Sequence, residues 1–126
     1  MFKHLNTRIP KRIEQEKDKV SAVMIPLIKK NDGYHILFKV RSNKLSQQPG
    51  EICFPGGRRE HDETSMETSI RETCEELLIS ESNIKLYGPL DYFLSPAGLR
   101  IDPYLGELVN YDGQYSNDEV SEIFTV

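Results

Sequence analysis

The stretch GRREHDETSMETSIRETCEELLI, residues 57–79, decides the fold of this chain. From Thr64 to about Leu78, apolar and small residues recur at steps of three and four, the period of a helix with one face against a core. Thr64 and Glu67 have the spacing of a capping box, which supplies acceptors for the first free N–H groups of a helix. The segment therefore predicts one central helix, whose core-facing residues are expected to be Met66, Ile70, Thr73, Cys74 and Leu77.

Strand-like segments lie on both sides of this helix. Asn31, Asp32 and Gly33 separate two apolar runs and predict a hairpin between them. Strands, one helix and strands again predict an α/β (α+β) domain with a mixed sheet. The predicted strands are residues 20–28, 34–41, 52–57, 84–94, 101–109 and 121–126.

Composition limits the class of protein. The chain has 126 residues, enough for one domain, which we place at 20–126, after an N-terminal arm or short helix at 1–19. The net charge of −4 argues against nucleic acid as a partner. Two cysteines without a CxxC pair predict free thiols in a reducing compartment. With no signal peptide and no apolar run long enough to span a membrane, we expect a cytoplasmic protein.

Three carboxylates share one face of the predicted helix. Glu72, Glu75 and Glu76 stand at i, i+3 and i+4, where like charges repel. A hard divalent cation would offset the repulsion and keep coordination positions for water and substrate phosphates. The alternative is an acidic helix face in contact with solvent.

The residues upstream of the helix complete a larger pattern. The segment resembles the Nudix box, G-x5-E-x7-R-E-U-x-E-E-x-G-U, in which U is an apolar residue. Thr73 replaces one apolar position, and Leu78 replaces a glycine that resembles a left-handed C-terminal cap, a conformation that costs leucine roughly 1–2 kcal/mol. The helix is therefore expected to end differently here. The positions in register are Gly57, Glu63, Arg71, Glu72, Glu75, Glu76 and Ile79.

The resemblance implies a fold and a metal site. The fold would be a Nudix-like α-β-α sandwich with a catalytic loop and helix. Mg²⁺ or Mn²⁺ would be bound by Glu72, Glu75 and Glu76 with the backbone of Gly56, and Glu72 or Glu76 would help to activate the attacking water. Members of the family often add a late carboxylate as general base, and Glu119 is the candidate here.

The resemblance also implies supporting roles. Glu63 and Arg71 would form a structural pair that locks the loop onto the helix, and the backbone of Gly57 would contact phosphate. Glu122, with Asp118 behind it, is an alternative to Glu119 as the general base.

A second motif precedes the box. The run VRSNKLSQQPGEICFPGG, residues 40–57, resembles the signature of the coenzyme A diphosphatase branch, R-S-x3-R-x3-G-x3-F-P-G-G. Its second arginine is missing, because Ser46 stands there. The resemblance makes Arg41 and Ser42 substrate-binding candidates, together with Gly57 and Arg58 of the box. Downstream, LSPAGLRIDPYLGEL is also similar to this branch.

A function follows from these resemblances. The chain would hydrolyse CoA or an acyl-CoA, a small-molecule substrate, to 3′,5′-ADP and a phosphopantetheine product. Two alternatives stay open: a Nudix hydrolase acting on ADP-ribose or dinucleoside polyphosphates, and a non-catalytic Nudix-fold module that senses a ligand. The complete acidic triplet favours catalysis.

The end of the sequence fits the sandwich poorly. The fold implied by the resemblance has a helix near its C-terminus, and this chain stops at the apolar run 123–126. We therefore expect either a truncated chain or a sheet face that a partner covers, as in a homodimer.

Overall fold

The computed structural model describes residues 19–126. The predicted N-terminal arm therefore lies outside the described residues, apart from Lys19. Eight strands and one α-helix are present in 19–126, with a turn of 3₁₀ helix at Glu81–Asn83. The elements are β1 (Val20–Lys30), β2 (Gly33–Arg41), β3 (Ile52–Cys53), β4 (Gly56–Arg58), α1 (Ser65–Leu77), β5 (Ile84–Pro89), β6 (Phe93–Leu94), β7 (Arg100–Leu108) and β8 (Val120–Thr125).

The sheet is built around β1. This strand pairs in parallel with β7 along most of its length and antiparallel with β2 and β4. Strand β2 leaves β1 beyond the pair Leu27–Ile36 and continues against β3 and β8, both antiparallel. One parallel pairing among antiparallel ones makes the sheet mixed, as predicted, and the α+β class is confirmed.

The hairpin is confirmed, and two other predicted strands are each divided. Lys30 pairs with Gly33 across the turn, as the Asn-Asp-Gly signal requires. ICFPGG is not one strand, because Phe54 and Pro55 carry the chain from β3, beside β2, to β4, beside β1. The predicted strand 84–94 likewise separates into β5 and β6, which both pair with β7.

Helix α1 buries Thr73 and Leu77, two of the five residues predicted to face the core, but not the other three. Met66 is 42% exposed, and Ile70 and Cys74 are only half-buried. The helix rests on β1, β4 and β7 through small side chains, which allow a close approach. Their hydroxyls stay satisfied, because Ser69 and Thr73 donate to backbone carbonyls within the helix. The buried residues of α1 are Thr68, Ser69, Thr73, Glu76 and Leu77.

The helix ends where predicted, but it keeps the left-handed cap. Both hydrogen bonds of the capping box between Thr64 and Glu67 are present. At the other end Leu78 adopts φ 49° and ψ 45°, the conformation that a glycine normally supplies. The expectation of a different ending was wrong, because the half-exposed leucine accepts the strained conformation instead of avoiding it.

The core lies on the helix side of the sheet. Leu37, Leu77, Ile79 and Leu108 form its buried cluster. The opposite face of β1 is only half-buried, and no α-helix covers it within residues 19–126. The described chain thus contains one of the two helical layers of the expected sandwich. No described helix has the length and apolarity to cross a membrane.

Candidate metal site

Three carboxylates meet beside the helix. One carboxylate oxygen from each of Glu72, Glu76 and Glu119 lies within 4.8 Å of the other two, and we call this group the carboxylate cluster. Glu72 and Glu76 are one turn apart on α1, and Glu119 directly precedes β8. Two backbone hydrogen bonds bring the late loop here: Ser116 N donates to Glu76 O at 2.8 Å, and Ser42 N donates to Glu119 O at 2.9 Å.

Burial makes the cluster costly to ionise. Removal from solvent raises the pKa of Glu72 to about 7 and that of Glu76 to about 7. The like charge of the Glu119 carboxylate contributes to both raised pKa values. A hard divalent cation prefers carboxylate oxygens and would stabilise all three charges, so the donor set fits Mg²⁺ or Mn²⁺.

A buried lysine also faces this cluster, and the sequence analysis did not single it out. Lys39 and Glu76 are 2% and 1% exposed, and Lys39 Nζ donates to Glu76 Oε1. The available signal was strand period: Leu37 and Lys39 are two residues apart on β2, so a lysine shares the buried face of a leucine. Part of the charge repulsion expected on α1 is therefore offset within the protein.

Glu75 lies outside the cluster. Its side chain is 53% exposed, and Arg71 Nη1 approaches Glu75 Oε1 at 3.4 Å. Of the three helix carboxylates predicted as metal ligands, the structure brings together Glu72 and Glu76 and leaves Glu75 at the surface.

The two glycines of β4 allow close packing beside the cluster. A Cβ on Gly57 would overlap the carboxylate of Glu72, with Cδ only 2.6 Å away. A Cβ on Gly56 would overlap Ala22 O and lie 2.7 Å from Val23 Cγ1. Gly57 therefore adjoins Glu72 of the cluster, whereas a side chain at Gly56 would meet β1. The phosphate contact of the Gly57 backbone and the metal contact of the Gly56 backbone stay predictions.

The predicted pair of Glu63 and Arg71 is present. Arg71 Nε donates to Glu63 Oε2 at 2.7 Å and Nη2 to Oε1 at 3.1 Å, and Thr68 Oγ1 donates to Oε1 at 2.6 Å. These bonds lower the pKa of Glu63 to about 2, and the carboxylate raises the pKa of Arg71. Arg71 Nη2 also lies 3.4 Å from Arg58 O, so one guanidinium ties loop, strand and helix together.

We expect Arg71→Ala to lower the free energy of unfolding by about 2 kcal/mol, because charged hydrogen bonds to a half-buried side chain are lost. Because the folded pKa of Glu63 lies below its usual 4.5, its contribution is present above pH 4.5 and disappears as the pH falls towards about 2. Denaturant unfolding should therefore show the two proteins converging through this window. Equal stabilities at pH 7 would contradict the structural role.

Two of the substrate-binding candidates, Arg41 and Ser42, form hydrogen bonds with the loop that follows β2, whereas Arg58 is exposed. Arg41 directs its guanidinium to Gln47 O, with Nε and Nη2 at 3.2 and 3.1 Å, at the end of β2. Ser42 is buried, and its hydroxyl accepts from Lys44 N, a turn-forming contact. Arg58 is exposed on β4, next to Gly57.

The alternative late carboxylates point elsewhere. Glu122 is an exposed residue of β8 paired with Val40. Asp118 is 90% exposed and lies 3.9 Å from Lys44 Nζ. Of the late acidic residues considered, only Glu119 joins the carboxylate cluster.

Comparison with known proteins gives a consistent family. The NUDIX domain model matches residues 18–125. The chain is 34% identical over 107 residues to the peroxisomal coenzyme A diphosphatase NUDT7 of Mus musculus, covering 83% of this chain and 45% of that protein. It is 34% identical over 122 residues to Nudix hydrolase 3 of Caenorhabditis elegans, covering 91% and 51%. The chain thus spans about half the length of these curated relatives.

Solved structures share the fold. A binary complex of the Ap4A hydrolase from C. elegans superposes with a TM-score of 0.71 at 21% identity, covering 83% of this chain and 77% of that one. The Nudix hydrolase RenU from M. smegmatis gives a TM-score of 0.69 at 17% identity, covering 84% and 68%. At these identities the similarity concerns the fold alone.

Proposed function

Because this chain belongs to the Nudix family, whose members hydrolyse nucleoside-diphosphate-linked substrates, we propose that it cleaves the diphosphate of CoA or an acyl-CoA with Mg²⁺ or Mn²⁺. The products would be 3′,5′-ADP and a phosphopantetheine. The observation that carries the proposal is the carboxylate cluster of Glu72, Glu76 and Glu119, which lies beside Gly57 and within one small domain.

Each residue has a chemical role in this proposal. Glu72, Glu76 and Glu119 would hold the divalent ion, which neutralises diphosphate charge and lowers the pKa of a water when bound. Glu119, on a loop rather than on the helix, would accept the proton of the attacking water. Arg71 and Glu63 act at a distance by holding the loop to α1. The absence of a side chain at Gly57 would leave room for a phosphate beside Glu72.

Support for CoA comes from two sources. The segment from Arg41 to Gly57 resembles the CoA-branch pattern except at Ser46, where an arginine is missing, and the relative named as a coenzyme A diphosphatase is 34% identical to this chain over 107 residues. The extra phosphate of CoA would also suit contact with an arginine, for which Arg41 and Arg58 are the candidates. Hydrolysis of a dinucleoside polyphosphate is a second candidate, because the Ap4A hydrolase shares the fold.

The location and assembly of the protein stay predictions. We propose a cytoplasmic location for this chain, although the name of one relative places that protein in peroxisomes. We also propose a homodimer that covers the half-buried sheet face, which a measurement of molecular mass in solution tests.

We expect kcat/KM for CoA to exceed that for ADP-ribose at least tenfold, with products identified by mass. Arg41→Ala should lose about 1–3 kcal/mol of transition-state binding for CoA, as for a charge-assisted contact. The loss should be smaller with dephospho-CoA if Arg41 meets the 3′-phosphate, and equal if it meets the diphosphate.

The matched control is Lys85→Ala, which removes an exposed positive charge on β5. It should change neither kcat/KM for CoA nor kcat/KM for ADP-ribose. A preference for ADP-ribose together with an indifferent Arg41→Ala would reject CoA while leaving Nudix hydrolysis in place. A preference for diadenosine polyphosphates would select the second candidate.

A further inference from the structure

Lys39 is an unusual residue for the interior of a sheet. It is the largest fully buried side chain among the described residues, at 2% exposed, and it lies on the same face of β2 as Leu37. Burial of a charged side chain costs several kcal/mol unless an opposite charge and hydrogen bonds compensate. Lys39 meets this requirement through Glu76, which is itself 1% exposed.

The position of Lys39 gives it influence beyond this one pair. Glu76 belongs to the carboxylate cluster, so an ammonium bound to Glu76 Oε1 stands at the edge of the candidate metal site. A single lysine therefore acts on the cluster through its contact with Glu76.

The formal charges of the carboxylate cluster bear on how strongly it holds a metal ion. The three carboxylates of the cluster carry −3 when ionised. Lys39 offsets one of these charges at Glu76, and Arg71 Nη1, whose guanidinium also pairs with Glu63, lies 3.6 Å from Glu72 Oε2. A divalent cation would add to the positive charge that these two side chains already supply. In a buried site an uncompensated charge is expensive, so a fixed internal cation affects how strongly an added cation is held.

We propose that Lys39 is a positioning residue of the metal site: a tethered cation that fixes the Glu76 carboxylate and weakens the affinity of the cluster for divalent ions. The inference rests on the proposed function only in that the cluster binds such an ion. Lys39 takes one oxygen of Glu76, and its charge repels an incoming metal. The site can then be assembled before metal binds, and the ion exchanges more readily.

The test uses Lys39→Gln and Lys39→Met. Glutamine keeps a hydrogen-bond donor for Glu76 without the charge, and methionine keeps only the volume. Mn²⁺ binding is measured by titration at pH 8 without substrate, together with the melting temperature with and without Mn²⁺. We expect the dissociation constant for Mn²⁺ to fall at least about tenfold in both variants, and the Mn²⁺-induced rise in melting temperature to increase.

The control is Lys29→Gln, which removes the same charge from an exposed position on β1 and should leave Mn²⁺ binding unchanged. Mn²⁺ affinity that is equal to or weaker than that of the wild type in both variants would overturn the proposal and leave Lys39 a purely structural partner of Glu76. A variant that unfolds without ions should be refolded by Mn²⁺, because the proposal has the carboxylates bind Mn²⁺ more tightly once the charge of Lys39 is gone; failure to refold also contradicts it.

These outcomes separate this inference from the proposed function. If the wild type binds Mn²⁺ and hydrolyses CoA while both Lys39 variants keep its affinity, only the role of Lys39 is rejected. If the wild type binds no Mn²⁺, the metal site itself is wrong, and both proposals fail together.

Discussion

Glu72→Gln should lower kcat about a hundredfold, measured at saturating Mg²⁺, because it removes a charged ligand of the proposed metal site. The melting temperature should change little. Burial already raises the pKa of Glu72 to about 7, so a neutral side chain of the same shape suits this position in the metal-free protein. Loss of activity without loss of stability is the result expected of a metal ligand.

Glu75→Gln is the matched control, since it makes the same chemical change about one helical turn along α1. Glu75 is 53% exposed and lies outside the carboxylate cluster. Its kcat should stay within roughly threefold of the wild type, as for a surface substitution. Equal losses in the two variants would reject the cluster of Glu72, Glu76 and Glu119 as the metal site. Glu76→Gln is a weaker test, because it leaves Lys39 buried beside a neutral partner and so changes stability as well.

Gly57→Ala should produce the second large effect, a fall in kcat of about ten- to a hundredfold with little change in stability. The added Cβ would overlap the Glu72 carboxylate, which is the flexible end of a side chain and can move away. The movement would displace one member of the cluster. Chemistry that depends on positions within about 1 Å is sensitive to such a shift.

Gly56→Ala, one residue earlier, should behave in the opposite way. Its Cβ would meet the backbone of β1 at Ala22 O, which cannot move without disrupting strand pairing. We expect a loss of about 1–3 kcal/mol in the free energy of unfolding, as for overpacking. The double variant Gly57→Ala with Glu72→Gln should be no slower than Glu72→Gln alone, because both changes act on one carboxylate. Additive losses would mean that Gly57 acts through something else.

Fixed spacing allowed much of the site to be predicted from the sequence. The helix, its capping box and the Glu63–Arg71 pair depend on residues close together in the chain, and the structure has all three. The buried face of α1 was predicted less well, because small hydroxyl residues fill it while the apolar Met66 faces solvent. Where a helix packs closely on a sheet, small side chains are buried in preference to large ones. The apolarity of a residue is then a poor guide to its burial.

Long-range contacts could not be predicted in the same way. The distance between Glu119 and the helix carboxylates depends on how the loop before β8 packs, and only the family resemblance suggested it. Lys39 gave no local signal beyond its place in a strand, since its partner Glu76 lies 37 residues away. Partners at such distances are decided by sheet topology, which local patterns do not specify.

The pairing of β8 with β2 has a consequence for how the protein folds. Phe38 of β2 pairs with Phe124 of β8, and the closed loop between them contains the whole of α1. Contacts of such large sequence separation form late, because the entropy of closing a long loop must be overcome first. A partly folded form in which β8 is not docked would therefore contain α1 and still lack Glu119 beside it. The carboxylate cluster is complete only when β8 pairs with β2.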